Sequence, residues 1–434
     1  MRISFRYNYT TLENTEGVRL VMYTELPESL KKLKLLWFCY SRILESGETF
    51  GSERIERVRH LAEEGHEETL VAAYFNKEDF AALNYPNMHL VSIPMKYKPV
   101  ISTMLYGLFL FLFGPIYLAK YRPDFIISDH TTAPFLIWHP MLSRFLRFKT
   151  ILDVRSTPVS SGTRAHIQFR LSVWIAKSIF NGITVVTPMM RDEICRSFKI
   201  NPEWTAILSN GISDEVFSPE KEKNTRKALR AQLGFSGKFV IIYHGSLRET
   251  GGLVESIKAV ALLKEEYPDV ILFLLGQSTK EVEDLLKKTM KENNVEKNVV
   301  LHGAVKFDEV PHFIAMSDLG LVPLPNIQFW RYQQPIKLLE YMAMNKTFIV
   351  SESPAHRVII SNSKNAIYIS HVTPPEIAKA VEYAYHNRDK LDAWGQTGRS
   401  IVMKKYVWKK LNEELMIYLR NVQLGKTRYA TRKC

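Results

Sequence analysis

The run Pro335-Ile336-Lys337-Leu338-Leu339-Glu340 has residue types and spacing suited to holding an anion. Pro335 at the first position of a predicted helix fixes φ and wastes no needed N–H, and the amides of Ile336 and Lys337 then have no partner within the helix. An anion placed there gains N–H hydrogen bonds and the positive end of the helix dipole. Residues 337, 340, 341 and 344 share one helical face, whereas Ile336, Leu339 and Ala343 share the apolar side. On periodicity alone, Lys337 and Glu340 are better read as a solvated i,i+3 pair worth about 0.3 kcal/mol. A second candidate is Gly245-Ser246-Leu247-Arg248-Glu249-Thr250-Gly251-Gly252, which follows an apolar run. Arg248 brings a cation there, and Gly251-Gly252 opens a helix with bare amides. Gly276, after Phe273-Leu274-Leu275, either lets the backbone approach a ligand closely or simply turns the chain. Other chemistries lack their motifs. No G-x-G-x-x-G follows a predicted strand, and there is no P-loop, H-E-x-x-H helix, G-x-S-x-G elbow or Asp-x-Asp metal clamp.

The elements that must position these residues alternate strand and helix. Apolar runs at 35–40, 69–74, 89–93, 125–128, 150–154 and 183–186 are separated by helical patterns, among them one with Ile55, Val58 and Leu61 on one face. After a polar interruption, strands at 239–243, 270–275, 299–301, 319–322 and 347–350 follow, with helices at 252–265 and 280–293. This is α/β architecture with two doubly wound parallel sheets and a hinge near 213–225. The division expected is an unpatterned extension at 1–30, a first domain at 31–212, a second at 213–405, and a C-terminal helix with a basic tail at 406–434. Ligands sit beyond strand C-termini in such sheets, so the cleft between the domains is the expected site. His130 and Arg155 end strands there and are the candidate catalytic residues, although a lone strand-end His is more often a loop residue.

Composition narrows the class. With 434 residues, 46% of them hydrophobic, the chain can bury sizeable cores, and disorder is excluded. Three cysteines, Cys39, Cys195 and Cys434, do not make a disulfide framework, which favours a reducing compartment, and no secretory leader is evident. The net charge is +13, and it is concentrated. Residues 91–190 hold 11 Lys/Arg against 3 Asp/Glu, and residues 403–434 hold 9 against 2. Such segments suit an anionic surface, nucleic acid or lipid. Residues 100–119 carry no charge, and Gly114-Pro115 is expected to break any helix there. With Lys96, Lys98, Lys120 and Arg122 flanking it, an interfacial segment is favoured, with a buried crossover helix or a membrane span as alternatives. A lipid surface, and not nucleic acid, is therefore the expected anionic partner.

Several stretches, in order, resemble the retaining GT-B glycosyltransferases of family 4 (glycosyl transferases group 1). Ser209-Asn210-Gly211-Ile212-Ser213-Asp214 is similar to that family's interdomain motif. Val299-Val300-Leu301-His302-Gly303, Ala315-Met316-Ser317-Asp318 and Pro335–Lys346 are similar to three of its C-terminal motifs. The resemblance implies a GT-B fold of two Rossmann-like domains and transfer of a sugar, with retention, from a nucleotide-sugar to a lipid-linked or cell-envelope glycan acceptor. It implies a front-face mechanism assisted by the departing diphosphate; without an Asp-x-Asp clamp no metal or other cofactor is expected, and the basic and apolar segments point to a cytoplasmic protein held peripherally at the membrane. It assigns the donor to Gly245, Ser246, Arg248, Gly276, Ile336, Lys337 and Glu340, with Lys337 on phosphate and Glu340 on ribose, and places Gly51-Ser52 near the acceptor. The last helix, about Lys409–Arg420, is expected to cross back to the first domain and set both basic segments beside 100–119. Ser246, Gly251 and Tyr332 stand where the family usually carries Arg, Lys and the first Glu of Glu-x7-Glu. A non-catalytic GT-B homologue acting as a binding subunit is the alternative.

Overall fold

The computed structural model describes residues 9–13, 19–23, 32–40, 52–73, 85–93, 99–158, 163–361 and 364–425. The chain divides into two compact units, Met1–Leu33 and Lys34–Cys434. Where the sequence suggested an unpatterned extension, the first unit holds an antiparallel hairpin. Its strands are β1 (Tyr9–Glu13) and β2 (Arg19–Tyr23), in register from Tyr9 opposite Tyr23 to Glu13 opposite Arg19. Thr, Val, Leu and Tyr suit a strand, but five residues are too few to display a period.

The second unit carries two parallel sheets. In the first, β3 (Lys34–Cys39), β4 (Glu67–Ala73), β5 (Met88–Ile93), β6 (Phe125–Asp129), β7 (Lys149–Val154), β8 (Gly182–Val185) and β9 (Thr205–Ile207) lie in the order β5-β4-β3-β6-β7-β8-β9. In the second, β10 (Phe239–His244), β11 (Val270–Leu275), β12 (Val299–His302), β13 (Leu319–Val322), β14 (Phe348–Ser351) and β15 (Ala366–Ile369) lie in the order β12-β11-β10-β13-β14-β15. Both orders reverse beside the first strand, which leaves a crevice at the strand C-termini. The central strands are continuous apolar runs because helices cover both faces, and every residue of β10 and β11 is buried. A buried carboxyl interrupts the first core. Glu68 accepts a hydrogen bond from Trp37 Nε1 at 2.6 Å, and burial raises its pKa well above the usual carboxylate range.

The 100–119 stretch is one helix, Pro99–Tyr121, continuing through Pro115 instead of breaking there. Gly114 lies against the Trp138 ring and Gly107 against Phe135, so packing holds the helix across the proline. Ser102, Tyr106, Leu110 and Leu118 face the core, whereas Leu105, Leu108, Leu112 and Ile116 are exposed. The helix is thus buried on one side only.

The last helix, Trp408–Gln423, packs on helix Ser52–Glu63 of the first sheet domain, and Tyr418 donates to the carbonyls of Trp204 (3.1 Å) and Ile183 (3.3 Å). The expected position beside 100–119 is not observed. Right-handed crossovers put helix 52–63, which leads outward from β3 to β4, and helix 99–121, which returns from β5 to β6, on opposite faces of the sheet. The exposed Lys409 and Lys410, in the first turn of the last helix, therefore belong to the face opposite the apolar helix.

Candidate active site

Both sheets end their strands at one cleft of about 480 Å³, a volume suited to a small organic ligand. From the second domain it is lined by Gly245, Ser246, Arg248, Gly276, Ile336, Lys337 and Glu340, so all seven predicted donor residues come together. The two glycines are needed for this. Gly276 has φ +148°, and a Cβ there would sit 1.8 Å from the Gly245 carbonyl oxygen; Gly245 itself has φ +103°. The loop is tied down by Gly245 N–H to Leu275 O at 2.9 Å and Leu247 N–H to Gln277 O at 2.8 Å.

The helix expected to bind an anion spans Ile336–Ala343. Pro335, with ψ 120°, is its extended N-cap and not its first helical residue, so the helix starts one position later than predicted. It is also buried all round instead of amphipathic: Leu338 through Ala343 are all buried, and Tyr341 donates to Ile242 O at 2.8 Å. Glu340 is only 6% exposed, which removes the reading as a solvated pair. Burial pushes Glu340 up to about 8, against the opposing pull of Lys337. Burial brings Lys337 down to about 7; Glu340 opposes that shift and Arg248 adds to it. The Lys337 ammonium stands 3.6 Å from the centroid of the Tyr243 ring. His244, the last residue of β10, brings Nε2 to 3.3 Å from Glu340 Oε2, without the alignment of a hydrogen bond. Burial, then Lys337, holds the His244 imidazole well below its ordinary pKa and therefore neutral.

The first domain contributes His130 and Arg155 to the cleft, with Tyr40, Glu53, Arg54, Asp129 and Asn210. The Arg155 guanidinium donates to Leu208 O at 2.6 Å, and to Glu53 and Asn210 Oδ1. Its fork is engaged with protein acceptors, which fits a positioning role. The His130 ring packs edge-on against Phe169 at 5.6 Å, and burial lowers its pKa. Between them lies a buried charge group missed in the sequence: Arg54 approaches Asp129 (3.6 Å) and Asp153 (3.7 Å). Asp129 also accepts from the backbone N–H groups of Tyr40, Thr131 and Thr132 at 2.7–2.9 Å. Asp129 and His244 both end strands, so the rule that found His130 would have found them; Arg54, in a helical first turn, carried no such signal. Gly51 lies outside the described residues; Ser52 begins helix Ser52–Glu63, its side chain likewise outside them.

The position of the family's first Glu is turned away from the cleft floor. Tyr332 OH points to Glu193 at 3.3 Å, and its carbonyl accepts from Thr187 Oγ1 at 2.8 Å. The Gln334 side chain accepts from Asn210 N–H at 2.6 Å, and its carbonyl accepts from Asn210 Nδ2 at 2.8 Å. These bonds fasten the segment before the helix to the first domain. Among the described residues, no group of three or more His, Cys, Asp or Glu is arranged to hold a metal.

Residues 225–401 match the family model for glycosyl transferases group 1, and residues 55–216 match that for glycosyltransferase family 4. Spore coat protein SA of Bacillus subtilis (strain 168) is 22% identical over 251 residues, 55% of this chain and 65% of that protein. The putative teichuronic acid biosynthesis glycosyltransferase TuaH of the same organism is 22% identical over 225 residues, 50% of this chain and 54% of that protein. The matches thus span between half and two thirds of these relatives' lengths. Anabaena HepE, solved in complex with UDP, superposes with a TM-score of 0.69 at 16% identity, covering 90% of this chain and 100% of that one. At such identity the likeness shows the fold.

Proposed function

The chain belongs to the group 1 glycosyltransferases of GT-B fold, and from that premise we propose that it moves a sugar, with retention of configuration, from a nucleotide-sugar to a lipid-linked or cell-envelope glycan acceptor. The observation that carries this reading is the meeting of Lys337, Glu340 and the free helix start with the Gly245 and Gly276 backbones on one cleft wall. There the amides of Ile336 and Lys337, the Lys337 ammonium and Arg248 take the diphosphate, and Glu340 takes the ribose hydroxyls. Their contribution is to orient the donor and stabilise the charge that develops on the leaving diphosphate. Across the cleft, Asp129 and His130 face the position from which an acceptor hydroxyl approaches. The departing phosphate oxygen assists removal of that hydroxyl's proton, and no protein nucleophile or metal is needed. UDP in the related HepE complex makes uridine diphosphate the first nucleotide to test.

Calorimetry with UDP, GDP and ADP tests the site. Glu340→Ala should weaken binding about tenfold, as expected for loss of a buried hydrogen bond that leaves the ribose hydroxyls unpaired. Unchanged affinity in both Glu340→Ala and Lys337→Ala would refute it. The non-catalytic reading rests on Ser246 and Gly251 replacing the family's cationic pair and on the outward turn of Tyr332. It is favoured if nucleotide binds but no donor in a UDP-, GDP- and ADP-sugar panel is turned over or hydrolysed.

The surface of the first domain supports a lipid-linked acceptor. Leu105, Leu108, Leu112 and Ile116 of helix 99–121, Met141 and Phe145 of helix 139–146, and Ile167, Leu171 and Trp174 of helix 163–179 are all exposed. Exposed Lys120, Arg122, Arg144 and Arg147 accompany them. Apolar side chains beside cations suit the cytoplasmic leaflet, with each cation contributing about 1 kcal/mol near an anionic surface. This surface supports the reading of a cytoplasmic, peripherally bound enzyme. Flotation with anionic and neutral liposomes at low and high salt checks it. No association with anionic vesicles at low salt removes the membrane from the reading.

A further inference from the structure

The segment that enters the donor helix contains a polar side chain with no task in the protein. Gln333 lies between Tyr332 and Gln334, both fastened to the first domain by the bonds from Thr187 and Asn210, and its own N–H donates to Trp330 O at 3.1 Å. Its backbone is therefore fixed. The side chain lines the cleft, only 9% of the residue is exposed, and Nε2 is buried with no hydrogen-bond partner. An amide held this way is unfavourable until a ligand group pairs with it.

Topology says which ligand group that is. A nucleotide-sugar is linear: ribose, diphosphate, sugar. Resting on the donor site proposed above, the diphosphate lies at the start of helix Ile336–Ala343, and the ribose lies at Glu340, one turn into the helix. Gln333 precedes the helix start, so it lies on the side of the diphosphate away from Glu340, where the sugar must be. We propose that Gln333 binds the donor sugar, donating its side-chain N–H to a hydroxyl or acylamino oxygen of the hexose. The side chains on either side of it are engaged with the first domain, Tyr332 with Glu193 and Gln334 with Asn210. A neutral amide beside the diphosphate binds the sugar without adding negative charge.

The experiment compares each bare nucleotide with its sugar. UDP, UDP-glucose, UDP-N-acetylglucosamine, GDP and GDP-mannose are titrated into wild type, Gln333→Ala and Gln333→Met, with thermal melts to check folding. For the donor with the largest gain over its own nucleotide in wild type, both variants should lose at least about tenfold of that gain, while affinity for the bare nucleotide changes less than about twofold. Gln333→Met has a similar length, lacks the N–H and adds no charge, so a loss in both variants is not a packing defect. Retention of the gain in either variant overturns the inference, and so does equal weakening of nucleotide and nucleotide-sugar. A wild type that binds nucleotide without any gain from a sugar overturns it while leaving the donor site intact. A wild type that binds none of the five overturns the donor site itself.

Discussion

Replacing Lys337 by Met removes the ammonium and keeps the length of a side chain packed over the Tyr243 ring. A charge-assisted contact to a phosphate oxygen is worth about 1.5–3 kcal/mol, which corresponds to roughly ten- to 150-fold in affinity. That full value requires the amine to be protonated before the ligand arrives. Burial lowers Lys337 to about 7, so at pH 6 the free protein already holds the charge. At pH 8 the proton must be taken from solvent, at a cost of about 1.4 kcal/mol per pH unit. The penalty of Lys337→Met should therefore be about ten- to 150-fold at pH 6 and shrink to about two- to 15-fold at pH 8. Wild type should take up a fraction of a proton on binding near neutral pH beyond any taken up by the variant. Calorimetry in buffers of different ionisation enthalpy measures both quantities. A nucleotide-sugar is the right ligand, because a bare nucleotide's terminal phosphate itself titrates near pH 6. A penalty that is constant or grows with pH would show that Lys337 does not charge to meet the diphosphate.

Gly276→Ala should lower Tm by several degrees and abolish nucleotide binding, because the new Cβ meets the Gly245 carbonyl at a φ of +148°; melting curves and the same titration check both. Glu68→Gln keeps the acceptor for Trp37 Nε1 and removes an ionisable group whose pKa burial raises. A raised carboxyl pKa means stability is full below the unfolded pKa and is lost as pH rises toward the folded one. The variant should therefore gain at least about 2 °C in Tm at pH 8, with the gain vanishing near pH 4.5. Transfer and nucleotide binding should persist in EDTA, because Lys337, Arg248 and the helix start supply positive charge; complete loss restored by Mg²⁺ or Mn²⁺ would contradict this.

The alternation of apolar runs and amphipathic helices made both sheets legible, because strands buried on two faces announce themselves by composition. Val270–Leu275 and Leu319–Val322 were read to the residue. That the second domain's candidate residues meet in one cleft was legible for a different reason. These residues fall in three short segments, 245–248, 276 and 336–340, each just past a strand end or at a helix start, where backbone chemistry dictates their use. What stayed hidden depended on contacts between distant segments. Pro115 remained helical because Trp138 and Phe135 pack on glycines of that helix. The last helix crossed to the face opposite 99–121 because crossover handedness fixes the sides of a sheet. The Arg54–Asp129–Asp153 group joins residues from a helix and two strands, and no local pattern links them.

Two chain crossings lie side by side between the sheet domains. Ile212 N–H donates to Tyr406 O at 2.9 Å, and Ile212 pairs with Val407 in a parallel bridge. A single linker would let one body swivel and twist about the other. Two adjacent straps laced by backbone bonds resist twisting and leave bending about one line as the soft motion, as in a door hung on two pins. Gln333 and Lys337 sit on one leaf of that door, and Asn210 and Arg155 on the other. Cutting either strap with a protease should leave the two bodies associated and the bend free to act.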